Sequence, residues 1–243
     1  MKNENLKNPD IYHSIFYKDL SDITSYSRDY NKIKDLICDI NENIKSNPLK
    51  ITFNKYDQLR NQALANILFI TGGRISEILD IDMKPNADKI YKREDFLYFT
   101  IPTKKKRNLK NNSRVIPIHI EGEKWALDPI VKYYNLRQIE LRKKLDEGWG
   151  SWLLRKPKRL KLFPMCRMYA YDILTWGIGM NPHALRKIRT TLLMNNMGFN
   201  IPKLMRVGGW ASPDSLKPYM NINTIDLEKS IKENIKNFIG DKK

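Results

Sequence analysis

The chain has 243 residues, and its 44 Lys and Arg against 27 Asp and Glu give a formal net charge of +17. This length can bury a substantial core, and the positive excess favours a polyanionic partner, with nucleic acid ahead of an anionic membrane. No apolar stretch approaches the ~18 residues that a membrane span needs, and the N-terminus lacks the apolar run of a signal peptide. Cys38 and Cys166 form no C-x-x-C motif, and the three histidines lack metal-ligand spacing. We therefore expect a cytoplasmic protein with reduced thiols, no metal site and no membrane segment.

The N-terminal segment differs from the rest of the chain in charge. Residues 1–48 carry 7 Lys and Arg and 8 Asp and Glu, a net charge of −1, which leaves +18 for residues 49–243. Pro48 interrupts the helical pattern, so we divide the chain into a short helical segment, 1–48, and a larger domain, 49–243. Apolar residues spaced as on one helix face predict an amphipathic helix, formed by Ile33, Leu36, Ile37, Ile40 and Ile44. This helix either packs on the larger domain or contacts a partner subunit.

The next part of the chain alternates between helix and strand patterns. Residues 56–70 predict a buried helix that Gly72 and Gly73 end, and Arg74 begins a second helix. The stretches 96–101 and 114–120 are rich in β-branched and aromatic residues and predict two strands of a hairpin. The connection carries six cations and no acidic residue, which predicts contact with a phosphate backbone; they are Lys104, Lys105, Lys106, Arg107, Lys110 and Arg114.

The second half of the chain contains another basic stretch between predicted helices. Asp128-Pro129 predicts a helix start, with aspartate as the cap and proline at the first position. Residues 154–163 predict a basic loop, for which DNA contact is favoured over an idle charged surface, through Arg155, Lys156, Lys158, Arg159 and Lys161. Pro182 predicts the start of a further helix, and apolar spacing predicts an amphipathic helix at 224–239.

Several residues near the C-terminus have side chains that can bind a phosphodiester or attack it. His183 and Arg186 are three apart and share one helix face, Trp210 follows a glycine pair, and Tyr219 comes nine residues later. Arg74 lies far upstream in the run Thr-Gly-Gly-Arg-Ile-Ser-Glu. This ordered set resembles the signature of the tyrosine recombinases, or phage-type integrases: T-G-x-R-x-x-E, then H-x-x-R, then glycine with His or Trp, then the nucleophilic tyrosine. Four separated elements in the right order make the resemblance specific.

The resemblance implies a fold, an activity and a set of site residues. The fold is α+β and mainly α-helical, with a small antiparallel β-sheet or hairpin. The activity is site-specific recombination of double-stranded DNA through a 3′-phosphotyrosyl intermediate, without metal, ATP or other cofactor. The catalytic residues would be Arg74, Lys104, His183, Arg186, Trp210 and the nucleophile Tyr219, with Glu77 in support. Lys104 best matches the lysine that the family keeps after the first hairpin strand, and Lys105 and Lys106 remain alternatives.

The sequence departs from the family pattern in its N-terminal segment, around Tyr219, and at Trp210, a hydrogen-bond donor. Members of the family usually place a DNA-clamping helical domain before the catalytic domain, whereas residues 1–48 are short and not basic, which implies a reduced or absent clamp. Segments after the tyrosine commonly dock on a neighbouring subunit, which implies a dimer or tetramer on DNA. Trp210 replaces the commoner histidine and can only donate a hydrogen bond. Pro218 disfavours a continuous α-helix into Tyr219.

Other functions fit parts of the same pattern. A type IB topoisomerase or a telomere resolvase would use the same strand-transfer chemistry for another purpose. A non-catalytic basic DNA-binding protein would explain the charge, but it would leave the combination of Arg74, His183, Arg186 and Tyr219 unexplained. RNA binding is disfavoured because the sequence has no aromatic RNP-type motif.

Overall fold

Helices predominate in the computed structural model, which describes residues 26, 29–46, 52–83, 89–103, 113–196, 201–210 and 212–219. The helices are α1 (Tyr30–Cys38), α2 (Ile40–Ser46), α3 (Lys55–Thr71), α4 (Ile75–Ile78), α5 (Lys124–Asp146), α6 (Gly150–Arg155), α7 (Arg167–Ile178), α8 (Pro182–Asn196) and α9 (Ile201–Gly208). The strands are β1 (Ile90–Arg93), β2 (Phe96–Pro102) and β3 (Ser113–His119), and 3₁₀ helices span Pro157–Leu160 and Pro213–Tyr219. No described helix is long and apolar enough to cross a membrane.

Helix α3 forms the centre of the core. It begins after Asn54, whose side chain accepts a hydrogen bond from the Asp57 amide at 2.8 Å, and it ends at Gly72 in the left-handed conformation with φ 56°. Every residue from Ala63 to Thr71 is buried, and the helix packs against α5 and α8. The predicted buried helix ending at the glycine pair is therefore confirmed.

The three strands form one antiparallel sheet in the order β1-β2-β3. Strand β2 pairs with β3 in a register that sets Tyr98 opposite Pro117, and alternate residues of both strands face the core. The two predicted strands are confirmed. Strand β1 was missed, because it has only four residues and two of them, Lys92 and Arg93, are charged. The lysines of the β2–β3 connection, with Arg107, lie outside the described residues.

The predicted start of helix α5 at Asp128-Pro129 is wrong. The helix begins five residues earlier, after Glu123, and contains Pro129 in its interior. Ala126 and Leu127 precede the proline and are buried, so a start at the proline would remove them from the helix packed against α3. A proline inside a helix costs roughly 3 kcal/mol, and burial of the first turn offsets that cost here.

The predicted N-terminal helix is two helices, α1 and α2, separated at Asp39. Its apolar face is otherwise as expected, because Ile33, Ile37, Ile40 and Ile44 are all buried. The two helices pack against α3 and α7 and belong to the same apolar cluster as the rest of the core. At Gly177 of α7 the approach is so close that an added Cβ would lie 3.0 Å from the carbonyl oxygen of Ile40.

Candidate active site

Arg186 lies where three segments of the chain meet. It occupies the second turn of α8, its residue is only 2% exposed, and its guanidinium donates to the carbonyl oxygens of Gly72 and Gly208, the latter at 2.7 Å. Gly72 precedes Arg74 by two residues, and Gly208 precedes Trp210 by two residues. One buried side chain thus ties the turn that carries Arg74 and the turn that carries Trp210 to the helix that carries His183.

Trp210 packs on the same guanidinium. The central carbon of the Arg186 guanidinium lies 4.3 Å from the centroid of a Trp210 ring, a cation–π contact. The indole can fold back in this way because Gly208 has no side chain, since an added Cβ would overlap the ring. Trp210 is 7% exposed and forms a small apolar cluster with Leu204, Leu216 and Met194. The indole therefore both packs in this cluster and covers the arginine.

Arg74 and Glu77 form an ion pair. Arg74 caps helix α4 at its N-terminus, and its Nη1 donates to Oε1 of Glu77 at 2.9 Å. The backbone amide of Arg74 donates to the other carboxylate oxygen at 3.1 Å. The Glu77 side chain is fully buried, whereas 25% of the Arg74 side chain remains exposed. The carboxylate thus lies beneath the arginine and fixes it from the inside.

A second arginine, Arg114 of strand β3, binds the same carboxylate. Its Nη2 donates to Oε2 of Glu77 at 2.9 Å, and its Nε donates to the carbonyl oxygen of Val207 at 2.9 Å. Its side chain is only 7% exposed. This corrects the sequence interpretation, which placed Arg114 among the DNA-contacting cations of the hairpin. The available signal was the strand alternation, because Arg114 is in phase with the buried Ile116 and Ile118.

The carboxylate of Glu77 is held in its charged form. Burial raises its pKa, but the charges and hydrogen bonds of Arg114 and Arg74 together act more strongly, and the pKa lies below its ordinary value. At neutral pH the cluster therefore contains one carboxylate between two guanidinium groups, which leaves a net positive charge next to the exposed side of Arg74.

His183 and Tyr219 come from the two segments adjoining this cluster. His183 is the second residue of α8, one turn before Arg186, and it is exposed. The backbone of Tyr219 belongs to the 3₁₀ helix Pro213–Tyr219, which packs against α8 and α9. The helix starts at Pro213, and it is a 3₁₀ rather than an α-helix. The side chain of Tyr219 and the predicted helix 224–239 lie outside the described part of the chain.

A groove of about 470 Å³ opens beside Trp210 and Arg114. Its lining also includes Thr103 and Ser113, the residues that flank the undescribed segment 104–112, with Val115, Met205, Arg206 and Gly209. The two described residues that flank the predicted catalytic lysine, Lys104, and the rest of its segment therefore both line this groove.

The second basic stretch runs alongside the chain that follows α4. It is the end of α6 and a 3₁₀ turn rather than a loop, and the side chains of Arg155, Lys156, Lys158 and Arg159 are exposed. Lys161 differs, because its ammonium lies 3.1 Å from a carboxylate oxygen of Asp80 and is only partly exposed. Backbone hydrogen bonds join Leu160 to Met83 and Leu162 to Ile81, so that this basic segment lies beside the Arg74 helix.

Comparison with solved structures finds the same fold. A XerH site-specific recombinase bound to a palindromic difH substrate in a post-cleavage complex gives a TM-score of 0.51 at 18% identity, covering 81% of this chain and 51% of that one. The XerH pre-cleavage complex gives 0.50 at 18% identity, covering 76% and 48%. A XerA recombinase gives 0.49 at 16% identity, covering 82% and 63%. The chain spans about half the length of the XerH chains.

No family model matches the sequence, and no curated protein matches it. The expected fold class is confirmed by the described elements: they are mostly helical, with one small three-stranded antiparallel sheet, and the fold matches that of the XerH structures. The chain therefore has the catalytic fold of the tyrosine recombinases.

Proposed function

We propose that this protein is a site-specific DNA recombinase or integrase that cuts and rejoins strands through a 3′-phosphotyrosyl intermediate. The observation that carries the proposal is the junction at Arg186, which holds the Arg74 turn and the Trp210 turn against the helix of His183. The contact of Arg186 with Gly72, which precedes Arg74 by two residues, spans 114 positions of the sequence and supports the proposal. The recombinase fold and the net charge of +17 are consistent with DNA as the substrate.

The proposed reaction is a transesterification. The oxygen of Tyr219 attacks a DNA phosphate, forms a bond to phosphorus and displaces the 5′-oxygen of the next nucleotide. That oxygen leaves as a hydroxyl after it receives a proton, for which Lys104 is the proposed acid. A 5′-hydroxyl from another strand then attacks the phosphotyrosine and releases the tyrosine. Because the ester bond is conserved in the covalent intermediate, the reaction requires no ATP.

Each remaining residue has a role that its chemistry allows. The transition state accumulates negative charge on its non-bridging oxygens, and Arg74 and Arg186 supply guanidinium donors for that charge. Removal of one such donor typically slows a reaction by about 10²–10³. Tyrosine has an ordinary pKa near ~10, so a base must help to remove its proton, and His183 is the proposed base.

The partner and setting follow from the same proposal. The substrate is double-stranded DNA, bound in part by the exposed cations of the basic segment at Arg155, Lys156, Lys158 and Arg159. Lys105, Lys106, Arg107 and Lys110 of the hairpin are proposed as further backbone contacts. The protein would act in the cytoplasm as a dimer or tetramer on DNA, because recombination joins strands from two sites.

The test is covalent capture on DNA. Nicked duplexes that tile the DNA flanking the gene release a short strand after cleavage, so that religation fails and the adduct accumulates. We expect the wild-type chain to form an adduct that survives denaturation. Tyr219→Phe should form none but should bind the same DNA within about threefold, because it loses only the hydroxyl. Tyr169→Phe is the matched control, since Tyr169 lies on α7 outside the motif, and it should form the adduct normally.

An adduct in the Tyr219→Phe protein would contradict the assignment of the nucleophile. Relaxation of a supercoiled plasmid without joining of two sites would instead indicate a topoisomerase-like use of the same chemistry.

A further inference from the structure

Arg114 contacts both halves of the candidate site, although the motif does not include it. On one side its Nη2 binds Glu77, the carboxylate that also holds Arg74. On the other side its Nε binds the carbonyl of Val207, three residues before Trp210. The motif residues of the two sides come from α4 and from the turn after α9, and Arg114 of β3 is bonded to both.

The space around Arg114 adds a third contact. An added Cβ at Gly209 would lie 2.9 Å from Nη1 of Arg114, so that the guanidinium fills the position where a side chain would be. Gly209 also has φ 68°, a conformation that residues with a Cβ rarely adopt. The glycine immediately before Trp210 is therefore required both by its backbone and by the arginine beneath it.

Arg114 is held by protein groups on two sides. Its side chain is 7% exposed, and its Nη1 is buried without a hydrogen-bond partner among the described residues. Two of its three nitrogens are already bonded to protein acceptors. Arg114 is therefore placed to influence strand cleavage through the residues that it contacts.

We propose that Arg114 is a positioning residue that sets Arg74, through Glu77, and Trp210, through Val207 and Gly209, at a fixed distance from each other. This inference rests on the proposed function. A planar guanidinium suits the role because its rigid fork donates in two directions at once, whereas the ammonium of lysine is a point charge on a flexible stem. A displacement of about 1 Å of a catalytic group can cost about 10²-fold in rate, so that loss of this spacer affects chemistry more than binding.

The experiment separates chemistry from binding and from folding. Arg114→Lys and Arg114→Gln are compared with wild type on the nicked duplexes described above, by adduct formation at saturating protein and by affinity for the same DNA. We expect both variants to form the adduct about 10²-fold more slowly while affinity changes by less than about threefold. Arg114→Lys keeps the charge, so its slow cleavage identifies the geometry of the guanidinium as the cause.

Two further variants test the route of the effect. Arg114→Gln should slow adduct formation by a smaller factor in the Glu77→Gln background than in the wild-type background, because only the route through Val207 and Gly209 remains once Glu77 is changed. Arg60→Lys is the matched control, since the Arg60 side chain is only 14% exposed and also binds a carboxylate, that of Asp57, but in the N-terminal half of α3, away from Gly72. It should lower the melting temperature and leave the cleavage rate within about threefold.

Each outcome decides the question. Cleavage by Arg114→Lys within threefold of an active wild type overturns the positioning role, and this holds even if Arg114→Gln fails to fold. Equal slowing by Arg60→Lys also overturns it, because loss of any mostly buried arginine would then suffice. If the wild-type chain forms no adduct on any of the duplexes, the proposed function fails, and Arg114 is then a structural ion-pair residue only.

Discussion

Two arginines stabilise the buried negative charge of Glu77. The carboxylate is fully buried, and it accepts hydrogen bonds from Arg74 on one oxygen and from Arg114 on the other, with the Arg74 amide as a third donor. Removing one member of a buried ion pair leaves an uncompensated charge and is strongly destabilising. The stability of this cluster and the geometry of the candidate site therefore depend on the same three side chains.

Glu77→Gln should lower the free energy of unfolding by about 3–5 kcal/mol at neutral pH, because the buried guanidinium of Arg114 loses its counter-charge. The folded-state pKa of Glu77 lies below its ordinary value of 4.5, so its stabilising effect is complete above about pH 4.5 and is lost as the pH falls through the folded-state pKa. The difference between wild type and variant should accordingly be constant from about pH 7 to 5 and shrink at lower pH. Urea denaturation at each pH measures it.

Glu147→Gln is the control for this measurement. Glu147 is half exposed and lies 3.9 Å from Lys143, and exposed pairs of this kind contribute about 0–1 kcal/mol. An equal loss of stability in both variants, or a Glu77→Gln difference that grows in acid, would contradict the account of Glu77.

Gly209→Ala and Gly148→Ala form a second matched pair. Both glycines have positive φ, 68° and 84°, so that each substitution should cost about 1–2 kcal/mol in backbone strain. A Cβ at Gly148 meets nothing within 4 Å, whereas one at Gly209 meets Nη1 of Arg114 at 2.9 Å. Only Gly209→Ala should also slow adduct formation, by at least about tenfold. Thermal melts and the nicked-duplex assay compare the two variants. Equal cleavage rates would show that the contact between Gly209 and Arg114 does not affect cleavage.

At the scale of elements, a network on α5 fixes the backbone of the basic segment. Arg137 donates to the carbonyl oxygens of Arg159 and Lys161 and, at 2.6 Å, to Glu140, which also accepts from Tyr56 and Lys144. Burial raises the pKa of Glu140, but these donors outweigh it and lower the pKa to about 2. The Tyr133 hydroxyl donates to Leu162. Hydrogen bonds from side chains of α5 thus fix the backbone of the segment that carries the exposed cations.

If the exposed cations of the basic segment bind DNA, the salt dependence of DNA affinity should change when they are neutralised, but not when cations elsewhere on the protein are neutralised. Lys158→Gln/Arg159→Gln should reduce the slope of log affinity against log salt by about 1.8, since each phosphate contact on duplex DNA contributes about 0.9. Lys45→Gln/Lys143→Gln removes the same charge from side chains that are 69% and 77% exposed and that lie beside their own glutamates. Its slope should be unchanged. Titrations at several salt concentrations measure both, and equal slopes for the two double variants would remove the basic segment from the DNA interface.

At the scale of the whole molecule, the N-terminal helices and the site share one core. The hydroxyl of Tyr30 on α1 donates a hydrogen bond to Glu123 and accepts one from Trp125 at 2.8 Å. The carboxylate of Glu123 in turn forms an ion pair with Arg189 of α8 at 2.8 Å. Burial, followed by the effect of Glu123, raises the pKa of Tyr30, so that the hydroxyl keeps its proton and can donate. Glu123 therefore links the chain that precedes the larger predicted domain to the helix that carries His183 and Arg186.

Ile40→Ala should lower the stability of the entire chain in one cooperative transition. Ile40 is fully buried against α7, and loss of a buried isoleucine side chain typically costs 2–5 kcal/mol. Ile139→Ala is the control, because Ile139 is 63% exposed and its substitution should change stability by less than about 0.5 kcal/mol. Thermal unfolding followed by circular dichroism measures both. Two separate transitions in Ile40→Ala would show that residues 30–46 unfold as a unit of their own.

The sequence by itself determined the features that depend on neighbouring residues. Gly72 and Gly209 end helices because a left-handed residue is needed there, and Pro182 begins one because its missing amide is not used at a helix start. The period of apolar residues gave the buried face of α1 and α2, and alternation gave β2 and β3. Each of these signals acts within a few positions of the chain.

Only the tertiary structure decided which distant groups meet. Strand alternation could place Arg114 inside, but it could not reveal that its partner is Glu77, 37 residues away, or that Arg186 binds carbonyls on either side of it in the chain. The start of α5 before Pro129 and the short strand β1 likewise depend on packing against α3 and pairing with β2. A proline inside a helix costs roughly 3 kcal/mol, and the local propensity of most other residues is worth at most about 1 kcal/mol. Burial is worth about 1.5–3 kcal/mol for each large apolar side chain, so that the packing of several side chains overrides local propensity at these positions.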